Sequence, residues 1–346
     1  MKASRTITVI GAHAEGEVGK VITGGVLPPP GASVYEQQQW LMKNNDALRK
    51  FLLYEPRGGA FTHANLVVPA KDPAADAGFI IMEPDDYPPM SGSNCICVAT
   101  VLLETGMIAM TEPVTRLTLE TPGGLVPVEA HCQDGRVERV KLVNVPCYAA
   151  ILDADITVPG IGTIRVDVGY GGAFFVIVDA RRFAFELRPE EARQLVETGE
   201  RIKEAARQQL EVQHPEIAAF NKIAFTEFTL PVTSEGDLST GRNTVVISPG
   251  KLDRSPCGTG TCARLAVMHA KNEISAGEGF VSRSIINSRF DAKIESVTQL
   301  KNGAPAILPS ISGRAWITGI HSYVLDPRDP WPEGYTLSDT WYRALT

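Results

Sequence analysis

Short apolar runs dominate the chain, and only two long stretches carry a helical period. Residues 6–10 are compact and β-branched, and residues 21–26 repeat that pattern before stopping at Pro28-Pro29-Pro30-Gly31. Residues 65–69 and 78–82 read as further buried strands. From 114 to 140 the alternating segments break at Pro122-Gly123-Gly124 and Asp134-Gly135, which are hairpin signals. Residues 163–178 give two strands around Tyr170-Gly171-Gly172-Ala173, and further short strands are predicted at 225–230, 244–247, 292–297, 306–308, 315–320 and 323–325. One helical period covers 35–53, with Leu41, Met42, Leu48 and Leu52 on its apolar side. The other covers 189–210: Pro189 suits a first turn, Glu190 and Glu191 complement the helix dipole, and Leu195, Ile202, Ala206 and Leu210 trace one face.

Two turns break this pattern in the same way. Asp253-Arg254-Ser255-Pro256-Cys257-Gly258-Thr259-Gly260-Thr261 precedes an apolar, helix-like run, and so does Met90-Ser91-Gly92-Ser93-Asn94-Cys95. Laying Ser91 on Cys257 pairs Gly92 with Gly258, Ser93 with Thr259 and Ile108 with Ile274. Many short strands, few helices and one apolar helix after each special turn predict an α+β protein and exclude a doubly wound parallel sheet. The predicted architecture is two pseudo-symmetric lobes, each a barrel-like, mostly antiparallel sheet around a central helix. The expected boundaries are 1–155 plus 330–346 for the lobe with Ser91, and 156–329 for the lobe with Cys257.

The turns also bring the first candidate chemistry. A thiol at a helix N-terminus is expected to be drawn toward thiolate by the macrodipole, and the unpaired amides of the same turn suit a small carboxylate. Composition narrows the partners. A net charge of −7 over 346 residues leaves no basic field for nucleic acid or an anionic membrane, so an anion site has to be local. No apolar run is long enough for a membrane span, the first residues are too short for an export signal, and six cysteines fit reduced thiols, so the expected compartment is the cytoplasm. Cys95 and Cys97 lack a second pair at metal spacing and read as buried, so no metal site is expected. Gly258-Thr259-Gly260 has no nucleotide-binding βαβ context. His13 is the histidine best placed for function, with a structural role equally open, while His63, His131, His214, His269 and His321 read as structural or surface groups. Asp253 either caps its turn or accepts from a substrate ammonium.

The Asp253–Thr261 stretch resembles that of the proline racemase family, supported by His13-Ala14-Glu15-Gly16-Glu17, Glu55-Pro56-Arg57-Gly58, Tyr170-Gly171-Gly172-Ala173-Phe174 and Ser288-Arg289-Phe290. The resemblance covers most of the chain. It implies a fold similar to diaminopimelate epimerase, no cofactor, a cyclic imino acid substrate and, usually, a homodimer. It further implies that Cys257 is one of two acid/base residues facing each other across the substrate's α-carbon. Gly92, Ser93, Asp253, Gly258 and Thr259 fall where the family holds the substrate's carboxylate and ring nitrogen. The chain departs from the family's racemases at the other catalytic half: their Cys-Gly-His is here Ser91-Gly92-Ser93. A serine hydroxyl is a poor proton carrier without a neighbouring base, which weakens two-base racemisation. Dehydration of trans-3-hydroxy-L-proline needs one carrier only, because its hydroxyl lies on the same ring face as the α-hydrogen. The expected activity is therefore a cofactor-independent hydro-lyase acting through Ser91 and Cys257. The alternatives are a 4-hydroxyproline 2-epimerase or proline racemase, or a member inactive on prolines.

Overall fold

A computed structural model describes residues 3–218, 220–236 and 238–342. The chain folds into two compact units, one made of the segments up to Leu142 and from Gly313 onward, the other of Val143–Ser312. The junctions thus fall earlier in sequence than the expected 155 and 329. Residues 148–158 form a strand bonded to its successor along its length, which ties that segment to the second unit. Residues 315–325 pair with the first strand of the chain, which returns them to the first unit.

In the first unit, β1 (Arg5–Ala14) and β2 (Glu17–Gly24) form a hairpin, and the C-terminal strand Ala315–Leu325 runs antiparallel along the other edge of β1. Helices α1 (Val34–Asn44) and α2 (Ala47–Leu53) follow, where one continuous helix is predicted. The break lies at Asn45 and Asp46: the Asp46 carboxylate is taken by the Arg49 guanidinium (2.7 Å) and the Tyr87 hydroxyl (2.9 Å). Short polar side chains with such local partners compete with a continuous helical ladder. Next come β3 (Thr62–Val68), β4 (Ala77–Met82), α3 (Gly92–Glu104), and the meander β5 (Val114–Thr121), β6 (Gly124–Gln133) and β7 (Arg136–Val143). Pairing is antiparallel except between β2 and β3 and between β4 and β5. The core holds Ile7, Val9, Leu48, Phe51, Leu66, Ile80 and the buried indole of Trp341.

The second unit starts with the antiparallel series β8 (Tyr148–Val158), β9 (Gly162–Tyr170) and β10 (Phe174–Asp179), then α4 (Ala192–Gln209). Strands β11 (Ile223–Thr229), β12 (Thr233–Glu235), β13 (Leu238–Ile247) and β14 (Lys251–Leu252) lead to α5 (Gly258–Ala270). The unit closes with β15 (Gly279–Arg283), β16 (Arg289–Gln299) and β17 (Pro305–Gly313). Alternation along the strands splits the core in two. Val176, Val178, Phe228 and Val246 pack with Leu195, Ile202 and Ala206 of α4. Phe175, Ile177, Val245 and Ile247 pack instead with Cys257, and with Ala263 and Val267 of α5.

Strands predicted as short fragments at 292–297 and 306–308 are the middle of β16 and the start of β17, and 315–320 and 323–325 are one strand. Pairing with neighbours extends them through polar residues that carry no strand signal of their own. The central helices match closely. Residues 92–103 of α3 and 258–268 of α5 are all buried, and the spacing that lays Ser91 on Cys257 carries both ends of α3 onto both ends of α5. Helices apolar on every side belong inside a protein. Glycines let the sheets approach: a side chain at Gly19 would meet Asn94 and Cys97 of α3, and one at Gly171 would meet the backbone of α5.

Candidate active site

In the first unit Ser91, Gly92 and Ser93 open α3 at the buried end of the helix. Ser91 is extended (φ −153°, ψ 124°), and its hydroxyl makes no capping bond to the helix backbone. Instead its Oγ accepts from Asn94 Nδ2 at 2.9 Å, with Ser93 Oγ 3.4 Å away. Asn94 is itself held. Its Oδ1 accepts from Asn65 Nδ2 at 2.7 Å, and its Nδ2 lies 3.3 Å from His63 Nδ1. His63 sits between two buried carboxylates, with Glu17 Oε1 3.4 Å from Nε2 and Glu83 Oε1 3.6 Å from Nδ1. The sequence reading of His63 as an isolated structural group thus misses its place behind Ser91. No spacing signals it, because Glu17, His63, Glu83 and Asn94 come from four separate segments of the chain. Since Asn94 donates to Ser91 Oγ, the serine's own proton stays available for another acceptor.

In the second unit Asp253, Cys257, Gly258 and Thr259 come together at the N-terminus of α5. Cys257 has φ 59° and ψ 106°, a left-handed backbone that is rare for a residue with a side chain. Bonds on both sides hold it there. Its N–H donates to Ser255 Oγ (3.1 Å), and Asp253 Oδ1 accepts from both the N–H and the hydroxyl of Ser255 at 2.8 Å. The Pro256 carbonyl accepts from Asn243 Nδ2 at 2.8 Å, and Thr261 Oγ1 lies 3.1 Å from that oxygen and 2.9 Å from Ser282 Oγ. Ser282 Oγ in turn donates to Asn243 Oδ1 at 2.8 Å. Arg254's carbonyl accepts from Ser288, so the Ser288-Arg289-Phe290 segment also braces the turn.

The Cys257 sulfur accepts from Gly260 N–H at 3.4 Å and lies 3.7 Å from Thr259 Oγ1. The expectation of a lowered thiol pKa is overturned. Burial pushes the Cys257 thiol well above its ordinary range, the charges of Asp253 and Glu227 push it further, and the Gly260 amide and Thr259 hydroxyl only pull part of the way back. A helix terminus acts over about one turn, and here desolvation and two carboxylates outweigh it. In the free protein burial and these two charges therefore favour the neutral thiol at Cys257.

His13 and Arg57, from the other sequence motifs, are held by local contacts. His13 Nδ1 accepts from Gly16 N–H at 3.2 Å, and the ring stacks on Trp316. Burial pushes the His13 pKa down against the opposing charge of Glu15. Arg57 donates to the carbonyls of Phe51, Trp331 and Pro332 and pairs with Asp329 at 3.0 Å, tying the C-terminal segment to α2. Cys95 and Cys97 are fully buried thiols, and burial pushes Cys95 up to about 12. No group of three metal-ligating side chains is gathered among the described residues.

A sheet-rich α+β protein with one buried helix opening at each special turn has distant structural counterparts. A phenazine biosynthesis protein of the PhzF family from Bacillus anthracis superposes with a TM-score of 0.57 at 12% identity, covering 94% of this chain and 100% of that one. At that identity the likeness concerns fold alone, and it fits the diaminopimelate epimerase-like architecture expected from the sequence. The narrower assignment comes from the sequence match: the model of the proline racemase family covers residues 9–336, and the chain belongs to that family. Two solved structures are far more similar. A hydroxyproline epimerase from Agrobacterium vitis, with bound trans-4-hydroxy-L-proline, is 43% identical with a TM-score of 0.91, covering 99% of this chain and 97% of that one. A probable proline racemase from Agrobacterium radiobacter K84, with bound carbonate, is 42% identical with a TM-score of 0.91, covering 97% and 98%. No helix among the described residues is long and apolar enough to cross a membrane.

Proposed function

We propose that the protein is a hydro-lyase that dehydrates trans-3-hydroxy-L-proline to pyrroline-2-carboxylate. The observation that carries this reading is the asymmetry of the two turns. Cys257 offers a titratable sulfur, whereas Ser91 Oγ has Asn94 and Ser93 as partners, neither of them a base. One proton carrier and one hydroxyl donor match an elimination better than a two-base inversion. In this reading the amides of Gly258 and Thr259 hold the carboxylate and Asp253 takes the ring ammonium, while Gly92 and Ser93 are the candidate carboxylate donors of the first unit. That ammonium offsets one of the charges that keeps the thiol protonated, so a thiolate becomes accessible in the complex.

Cys257 as thiolate then removes the α-proton. The electron pair of the C–H bond forms the α–β double bond as the bond to the 3-hydroxyl breaks. The new S–H proton leaves with that hydroxyl as water, which restores the thiolate, and the enamine product tautomerises to the imine. No step calls on a group beyond these residues and the substrate. A homodimer in a reducing, cytoplasmic setting belongs to the same proposal; the six cysteines, all free, support its second part.

The likeness to the Agrobacterium vitis epimerase favours a second reading, 2-epimerisation of 4-hydroxyproline, with Ser91 as the other proton carrier. Incubation in deuterated water with trans-3-hydroxy-L-proline, trans-4-hydroxy-L-proline and proline separates the two. Dehydration releases pyrroline-2-carboxylate from the first substrate and accumulates no epimer. Inversion with deuterium at the α-carbon of the second or third substrate, and no pyrroline product, would overturn the lyase assignment.

A further inference from the structure

A second ionisable group is enclosed with Cys257, and the chemistry above does not use it. Glu227 on β11 lies in the sheet between Ile177 of β10 and Val245 of β13, its direct cross-strand neighbours. Both neighbours belong to the cluster that packs against Cys257, Ala263 and Val267, so the register places the Glu227 side chain on the face covered by α5. The residue is fully buried, and neither carboxylate oxygen makes a hydrogen bond of normal length, the Asn243 amide reaching it only as a weak, longer contact. A bare carboxylate in such a place is expensive to keep ionised and is uncommon without a role.

The groups facing it are few. β10 presents apolar side chains there. From β13 comes Asn243, whose amide already holds the Pro256 carbonyl and Ser282. From α5 comes Arg264, whose guanidinium donates to the carbonyls of Leu230 (2.7 Å) and Arg242 (3.2 Å). The N-terminus of α5 brings Cys257, with Asp253 beyond it. Burial lifts the Glu227 carboxyl to about 7, against the pull of the Arg264 charge and the Asn243 amide, and its charge in turn acts on the Cys257 sulfur.

We propose that Glu227 is a positioning residue for Cys257, the carboxyl and the thiol beneath α5 sharing a single negative charge. Two states then differ only in where one proton sits. In the first, sulfur holds it and the carboxylate is ionised; in the second, the S–H bond is broken, an O–H bond is formed on Glu227, and sulfur is the thiolate. Two like charges in a desolvated cluster exclude each other, so the pair titrates as a unit. Glu227 thereby lets a thiolate appear in a buried site without adding to its total charge. The inference rests on Cys257 as the acid–base residue of the proposed function, but it does not depend on which substrate is turned over.

The test is alkylation of Cys257 by iodoacetamide across pH 5.5–9.5, followed at the peptide that carries it, in the wild type and in Glu227→Gln. The expected result is a profile displaced to lower pH, with the rate at pH 7.5 raised by about threefold or more, as a half-unit displacement gives. Coincident profiles would overturn the proposal, because a purely structural glutamate leaves the titration of sulfur where it was. A second measurement uses the wild type alone: its alkylation rate should climb with pH while Glu227 is protonated and level off as the carboxyl ionises near pH 7, because from there the pair already carries its single charge. A rate that climbs tenfold per pH unit through that region without levelling would sink the idea even if Glu227→Gln fails to fold. Neither readout needs turnover, so a protein inactive on every proline tests the pairing equally well, and a failed activity screen leaves the pairing result standing.

Discussion

Replacing Gly171 with alanine would put a methyl group 2.1 Å from the Thr259 carbonyl oxygen and 2.6 Å from the Ala263 nitrogen. Carbon and oxygen that are not bonded approach to about 3.3 Å, so the turn after β9 and the first turn of α5 must part by roughly 1 Å. Both sides of the contact are backbone, and no side chain can swing away. Overpacking of this kind typically costs about 1–3 kcal/mol. Displacing Gly171 also strains the bond from Asn144 Nδ2 to its carbonyl (2.8 Å), which adds about 1 kcal/mol. A total of about 3 kcal/mol corresponds to roughly a 150-fold change in the unfolding equilibrium of the second unit.

All four tryptophans (Trp40, Trp316, Trp331 and Trp341) lie in the first unit, so their fluorescence does not report the second. The assay is therefore urea titration read by hydrogen exchange in peptides from α5. Gly279→Ala serves as the control, because its added methyl meets Leu238 and Ala292 only at 3.4 Å and 3.9 Å, ordinary contact distances. Gly171→Ala should also raise KM more than it lowers kcat, since Gly258 and Thr259 ride on the displaced turn. Protection in α5 within about 0.5 kcal/mol of the wild type, below the effect expected of overpacking, would refute the reasoning.

Three further outcomes follow from the same geometry. Cys257→Ala should lower kcat by about 10²–10⁴-fold and Ser91→Ala by about tenfold or less; equal losses at both positions would favour a two-base inversion. Glu227→Gln should become more stable than the wild type as pH rises. A carboxyl raised from its ordinary 4.5 to about 7 by burial contributes stability below pH 4.5 and loses it as pH passes through 7, which amounts to about 3 kcal/mol at pH 8. Urea midpoints at pH 5 and pH 8 that differ equally in both proteins would count against that. Asp46→Ala should destabilise the first unit by about 2 kcal/mol, seen as a lower Tm by tryptophan fluorescence, because it strips the paired oxygens from a guanidinium that is only 9% exposed. The figure is held below that for a fully buried pair because Asp46 is itself 29% exposed.

The sequence by itself determined the class of fold and the two places where chemistry is sought. Strand signals depend on local alternation and turn residues, and a buried helix needs only an unbroken apolar run, so α3, α4, α5 and the hairpins were all readable. The Ser91 and Cys257 turns were readable because glycine and small residues before such a run serve few other purposes. The split of the helix at Asn45 was not readable, because Arg49 and Tyr87 reach Asp46 only once the unit has folded. Tertiary structure also decided the state of the Cys257 thiol. A dipole can be inferred from one turn of sequence, but desolvation and the charge of Glu227 depend on the sheet that closes over it. The support behind each turn was equally hidden: His63, Glu17 and Glu83 behind Asn94, and Asn243 and Ser282 behind Pro256, lie far apart along the chain. Electrostatics and hydrogen bonding act through space, and only packing brings such groups within a few ångströms of one another.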